Sequence, residues 1–66
     1  MDWRADHGRY VADWKRGTLE VTFTRSGHRD IAQYQFKVFE GAKVIERGWC
    51  FTKESAQHAA EIFVPT

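Results

Sequence analysis

The sequence predicts an α+β fold, with a three- to four-stranded antiparallel sheet packed on one C-terminal α-helix, and three observations carry this expectation. Residues 18–25 alternate strictly between apolar and polar side chains; Phe, Val, Ile and Trp dominate the large apolar residues against the single leucine, Leu19; and residues 53–63 change to a helical period. β-Branched and aromatic side chains suit a pleated surface, whereas leucine is the habitual helix-core residue. With 66 residues the chain supports one hydrophobic core, so residues 1–66 are expected to form a single domain.

Residues 1–16 scatter Trp3, Tyr10 and Trp14 among charges and admit two readings. Arg9 to Lys15 can form a strand with Tyr10, Ala12 and Trp14 on one face, turning at Arg16-Gly17. Alternatively, a short helix starts near Asp2 and stops at Gly8. Thr18 to Arg25 then places Leu19, Val21 and Phe23 on one face and Thr18, Glu20, Thr22 and Thr24 on the other. Ser26-Gly27-His28-Arg29-Asp30 supplies turn residues leading into a strand from Ile31 to Glu40. There Ala32, Tyr34, Phe36 and Val38 oppose Gln33, Gln35, Lys37 and Phe39, and Phe39 is the apolar exception on the polar side.

Glu40-Gly41 reads as a hairpin turn before a strand from Lys43 to Trp49. Val44 and Ile45 point to opposite faces in an unbroken strand, and Gly48 is a candidate bulge. Thr52 is a helix N-cap, Glu54 favours the first turn, and Ala56, Ala59, Ala60 and Phe63 fall on one helical face. A helix over 53–63 follows, stopped by Pro65, with small alanines against the sheet and Phe51 and Phe63 pinning its ends.

Ten basic and nine acidic residues leave a net charge of +1. That supplies little long-range attraction for a polyanion, and the positive excess lies in residues 21–53. One cysteine, Cys50, permits no intrachain disulfide, which fits a reducing, cytoplasmic setting. No apolar run at the N-terminus encodes a secretory signal or a membrane span. A domain this small is marginal in stability unless a partner or second copy covers more surface, so monomer and homodimer both stay open.

The residues of possible catalysts are present without the spacing that chemistry needs. His7, His28, His58 and Cys50 lack the close-spaced pairs of a metal site, so no metal or other cofactor is expected. Cys50 lies between Trp49 and Phe51, an apolar surround that leaves a thiol unactivated. The acids are spread along the chain, and no two glycines share one phosphate-cradling loop. A non-enzymatic protein is the expectation.

Two surfaces remain as candidates for binding. One is the polar sheet face, where Thr22, Thr24, Gln33, Gln35, Lys37 and Lys43 or Arg47 offer hydrogen-bonding groups to peptide or base edges. The other is the aromatic N-terminal stretch with Trp3 and Trp14, whose rings either serve as exposed anchors or pack as a satellite cluster.

Tyr34-Gln35-Phe36-Lys37-Val38, Gly41, Lys43-Val44-Ile45, Phe51-Thr52-Lys53-Glu54-Ser55-Ala56 and Ala60-Glu61 together resemble the arm-type DNA-binding domain of tyrosine integrases, over residues 18–64. The resemblance implies three antiparallel strands backed by one helix, similar to plant AP2 domains, with the sheet laid in a major groove. It implies that Gln33, Gln35, Lys37 and Arg47 face bases while Arg25, His28 and Arg29 meet phosphates.

Because a +1 chain lacks the electrostatic footprint of a typical DNA reader, protein binding is the leading expectation. Its concrete form is a phage or mobile-element protein, anti-CRISPR-like, that inhibits a host nucleic-acid-handling complex through a rigid patch. The partner is then a host protein or protein–nucleic acid complex, contacted by Arg25, Gln33, Gln35, Lys37, Lys43, Arg47, Trp3 and Trp14. The alternative is a module that reads duplex DNA with its sheet.

Overall fold

The computed structural model describes residues 1–25 and 32–64, with only the backbone of Arg25 and Ala32. The expected turn at residues 26–30, including His28 and Arg29, the start of the next strand at Ile31 and the stop at Pro65 lie outside the described residues.

Five antiparallel strands and one helix follow one another along the chain: β1 (Arg4–Asp6), β2 (Arg9–Trp14), β3 (Gly17–Arg25), β4 (Ala32–Glu40), β5 (Lys43–Cys50) and α1 (Lys53–Ile62). The strands lie side by side in sequence order, each paired with the next, so β1 and β5 are the edges. The α+β class is as expected, but the sheet has more strands than the three or four foreseen.

The N-terminal stretch accounts for the difference. His7 (φ 49°) and Gly8 (φ 81°) both take positive φ, the requirement of a type I′ hairpin turn. Histidine is among the few non-glycine residues that visit this region with any frequency. The turn sets Asp6 opposite Arg9 and folds residues 4–6 back on β2, so the short helix at Asp2 to Gly8 does not form.

Two turns sit one residue away from their expected places. Trp14 pairs with Gly17 across a Lys15-Arg16 connection, and Glu40 pairs with Lys43 across Gly41-Ala42. Gly41, at φ 62°, supplies the positive first position of a type II′ turn.

Register settles which side chains face the helix. Ala12, Leu19 and Val38 form one cross-strand row, and Tyr10, Val21, Phe36 and Gly48 form the next. Ala12, Leu19, Val21, Phe36 and Val38 are buried there against Ala56, Ala60 and Val64 of the C-terminal segment, with Trp3, Tyr10, Trp14, Tyr34, Cys50 and Ala59 packed around them. Gly48 is not the bulge. A Cβ there would lie 2.6 Å from Cε1 and Cζ of Phe36, so the glycine makes room for the Phe36 ring directly across from it. The irregularity falls instead at Val38/Phe39, where Phe39 pairs with Val44 and Val38 with Glu46, leaving Ile45 as the extra residue.

Thr52 caps α1 as expected, its Oγ1 accepting the Ser55 backbone N–H at 3.1 Å. The alanine face is buried as foreseen, but the phenylalanines do not pin the ends. Phe51 is 72% exposed and Phe63, although stacked on Phe36 at 6.2 Å, is 48% exposed; Val64 is the residue that closes the core. At the other end, Lys53 Nζ sits 4.8 Å from the centre of the Tyr10 ring, tying the helix start to β2.

Candidate functional site

With α1 on one face, the other face of the sheet stays open, and alternation along each strand decides what it carries. Three cross-strand rows follow from the pairing. The first runs Arg9, Thr22, Gln35, Trp49; the second Arg4, Val11, Glu20, Lys37, Arg47; the third Asp13, Thr18, Phe39, Val44. Gln33 lies beyond the first row, opposite Thr24.

The face divides into two halves of different electrostatic character. Over β1 to β3 the charges neutralise one another: Arg4 Nη1 donates to Asp13 Oδ2 at 3.1 Å, and Arg9 Nη1 to Glu20 Oε2 at 3.0 Å. Glu20 Oε1 also accepts from the Thr22 hydroxyl at 3.3 Å. The Arg4–Asp13 pair is solvent-exposed and contributes well under ~1 kcal/mol, while Arg9 meets a Glu20 side chain that is mostly covered; together the two pairs consume the charge of that half.

Over β4 and β5, Lys37 and Arg47 stand directly opposite each other, and among the described residues no carboxylate comes within ion-pair distance of either side chain. Glu20, the register neighbour of Lys37 on β3, is already engaged by Arg9. Around the two cations lie apolar groups. Trp49 is 54% exposed on the same face two residues from Arg47, while Val44 and Ile45 are each 42% exposed and Phe39 is half-buried. Lys37, Val44, Ile45, Glu46 and Arg47 line a shallow concavity of about 490 Å³. Glu46, the register partner of Val38 in the helix-side alternation, borders it from the edge strand, and its Oε1 accepts the Arg47 backbone N–H at 3.0 Å.

The residues expected from the sequence to bind a partner are thus only partly brought together. Gln33, Gln35, Lys37 and Arg47 share the open face. Lys43 pairs with Glu40 in the row that continues the core side, at the hairpin end. Arg25 pairs with Ala32 in the same alternation as Leu19, Val21 and Phe23, away from the open-face rows.

Trp3 and Trp14 are half-buried against the core on the helix side, a satellite cluster and not exposed anchors. Trp14 Nε1 donates to the Phe39 carbonyl at 2.7 Å, which fixes its ring over the β3–β4 end of the sheet. Sequence reasoning missed Trp49, Val44 and Ile45 as members of the face. Period-two alternation from Arg47 points to Trp49, but the bulge that turns Val44 and Ile45 toward one concavity has no sequence signal of its own.

Cys50 is half-buried and packs on the core, and His58 is exposed on α1. No group of three His, Cys, Asp or Glu residues gathers as a metal site among the described residues, and no described helix is long and apolar enough to cross a membrane. No family model, curated protein or solved structure matches this chain.

Proposed function

We propose that this protein is a small, non-enzymatic, cytoplasmic binding module that engages another protein through the open face of β4 and β5. The observation that carries the reading is the juxtaposition of exposed Trp49, Val44 and Ile45 with Lys37 and Arg47 on one rigid face. Exposed apolar side chains flanking unpaired charge have the composition of a protein interface, in which aromatic and arginine anchors supply most of the energy. The biological form we favour is inhibition, in which a phage or mobile-element protein occupies a surface of a host nucleic-acid-handling complex, as anti-CRISPR proteins do.

Duplex DNA is the second reading, favoured by the placing of Gln33, Gln35, Lys37 and Arg47 on one sheet face. Against it stand the pairing of Arg4 and Arg9 with Asp13 and Glu20, which leaves that half of the face without surplus positive charge for phosphates, and the near-neutral net charge.

Two measurements test the choice. Fluorescence anisotropy with generic duplex DNA across a salt series is expected to show no binding; micromolar affinity that falls steeply with salt would favour the DNA reading. A photoreactive p-benzoylphenylalanine at position 49, and separately at position 58 on the exposed helix surface, is irradiated in extract of the cell of origin. A defined protein adduct from position 49 and none from 58 is the expected result, and equal or absent labelling removes the open face as the interface.

A further inference from the structure

We infer that the partner meets this face with an acidic segment whose carboxylate lies between Lys37 and Arg47 and whose apolar side chains, on either side of that carboxylate, cover Trp49 and the Val44–Ile45 bulge. The inference rests on the protein-binding reading above and specifies the chemistry of the partner.

Charge is the first argument. Arg4, Arg9 and Arg16 each have a carboxylate oxygen within 3.1, 3.0 and 3.8 Å, and Lys53 lies over the Tyr10 ring. Lys37 and Arg47 are the cations on the open face whose side chains have no such partner among the described residues. The acid in register with Lys37, Glu20, is engaged by Arg9 and Thr22, and Glu46 belongs to the row of Val38, its Oε1 held by the Arg47 backbone N–H. Two like charges set opposite each other between apolar neighbours are a receptor for an anion. A carboxylate bound there gains charge-assisted hydrogen bonds in a setting that excludes part of the water.

Spacing is the second. Trp49, then Arg47 with Lys37, then Val44 with Phe39 are successive open-face rows, about 6.6 Å apart at the rise of a strand. An extended chain presents same-side groups at that interval, so an apolar-x-acid-x-apolar segment matches the three rows in order.

The apolar groups decide against nucleic acid. Trp49 is the one large exposed aromatic on this face among the described residues, whereas a single-strand platform stacks successive bases on several rings. Val44 and Ile45 offer aliphatic surface, with no ring on which a base could stack.

The test is an amide-resolved NMR titration of the ¹⁵N-labelled full chain with end-capped peptides, Leu-Thr-Glu-Thr-Phe and its Leu-Thr-Lys-Thr-Phe counterpart, and with oligothymidylate. The Glu peptide is expected to shift Lys37, Val44, Ile45 and Arg47 amides and the Trp49 indole, binding at least about tenfold tighter than the Lys peptide. The Lys37→Glu, Arg47→Glu double variant, which breaks no ion pair among the described residues, keeps the native spectrum and reverses the preference. Equal response to both peptides, no response at millimolar concentration, or a preference unchanged by the reversal overturns the inference. Stronger, salt-sensitive shifts with oligothymidylate reassign the face to single-stranded nucleic acid. A protein adduct at position 49 together with no acid preference retains the protein-binding reading and discards its acidic chemistry; absence of both discards the two together.

Discussion

Gly17→Ala tests the strand register on which the open face depends. Gly17 pairs with Glu40 where β3 begins, and a Cβ there would fall inside the van der Waals sphere of the Phe39 carbonyl oxygen, 2.9 Å from the Phe39 carbonyl carbon and 3.0 Å from the Gly41 nitrogen. All three atoms are backbone, so no rotamer change relieves the overlap. Two outcomes compete. Retaining the approach leaves an overpacked contact, costing about 1–3 kcal/mol. Separating the strands weakens the Trp14 Nε1 bond to Phe39 (2.7 Å) and the Gly41 N–H bond to the Arg16 carbonyl (2.8 Å), at about 1 kcal/mol each. Either way, about 0.5–1 kcal/mol returns through the reduced entropy of the unfolded chain. By strand separation the net loss is about 1–1.5 kcal/mol, a large share of the few kcal/mol expected for a domain of this size. Thermal unfolding followed by far-UV circular dichroism should show a midpoint lowered by roughly 4–12 °C. A glycine in an unstrained, roomy strand position would respond with the opposite sign. A Gly17→Ala variant equal to or more stable than the parent therefore refutes the close β3–β4 approach, and with it the register that sets Lys37 opposite Arg47.

Leu19→Ala, at a fully buried central position, should cost about 2–5 kcal/mol and leave the chain largely unfolded at 37 °C by circular dichroism. Trp14→Phe should cost more than Trp3→Phe in urea denaturation. The first removes the indole bond to Phe39, worth about 1 kcal/mol, whereas the buried Trp3 Nε1 has no acceptor among the described residues to lose. Thr52→Ala should lower stability by about 1 kcal/mol through loss of the cap on the Ser55 N–H, and Thr52→Ser should restore most of it. Arg4→Ala should change the unfolding midpoint within experimental scatter, because its ion pair to Asp13 is solvent-exposed on both sides.

How much of this was legible in the chain depends on which physical effect governs each element. Strict alternation in Thr18 to Arg25 made β3 readable, because a period of two has one geometric solution when one face must be buried. The helix was readable for a similar reason, with Thr52 and the alanine face agreeing on its start and orientation. β1 was not. Three residues carry too little periodicity, and the strand exists because a His-Gly turn folds it onto β2. Phe51 and Phe63 look like core residues by hydropathy, yet the volume over Phe36 and Val38 is filled by Ala56, Ala60 and Val64, which leaves the two rings at the surface.

By itself, the sequence determined the class of fold, the order of β3 to α1, and the open-face placement of Gln33, Gln35 and Lys37, because side-chain alternation is a local property of the strand that carries them. Only the tertiary structure decided that Lys37 and Arg47 stand together, that Val44 and Ile45 line one concavity beside them, and that Trp3 and Trp14 turn inward. Those outcomes depend on a bulge opposite Phe39 and on which residues the helix covers, and both are fixed by pairing between segments distant in the chain.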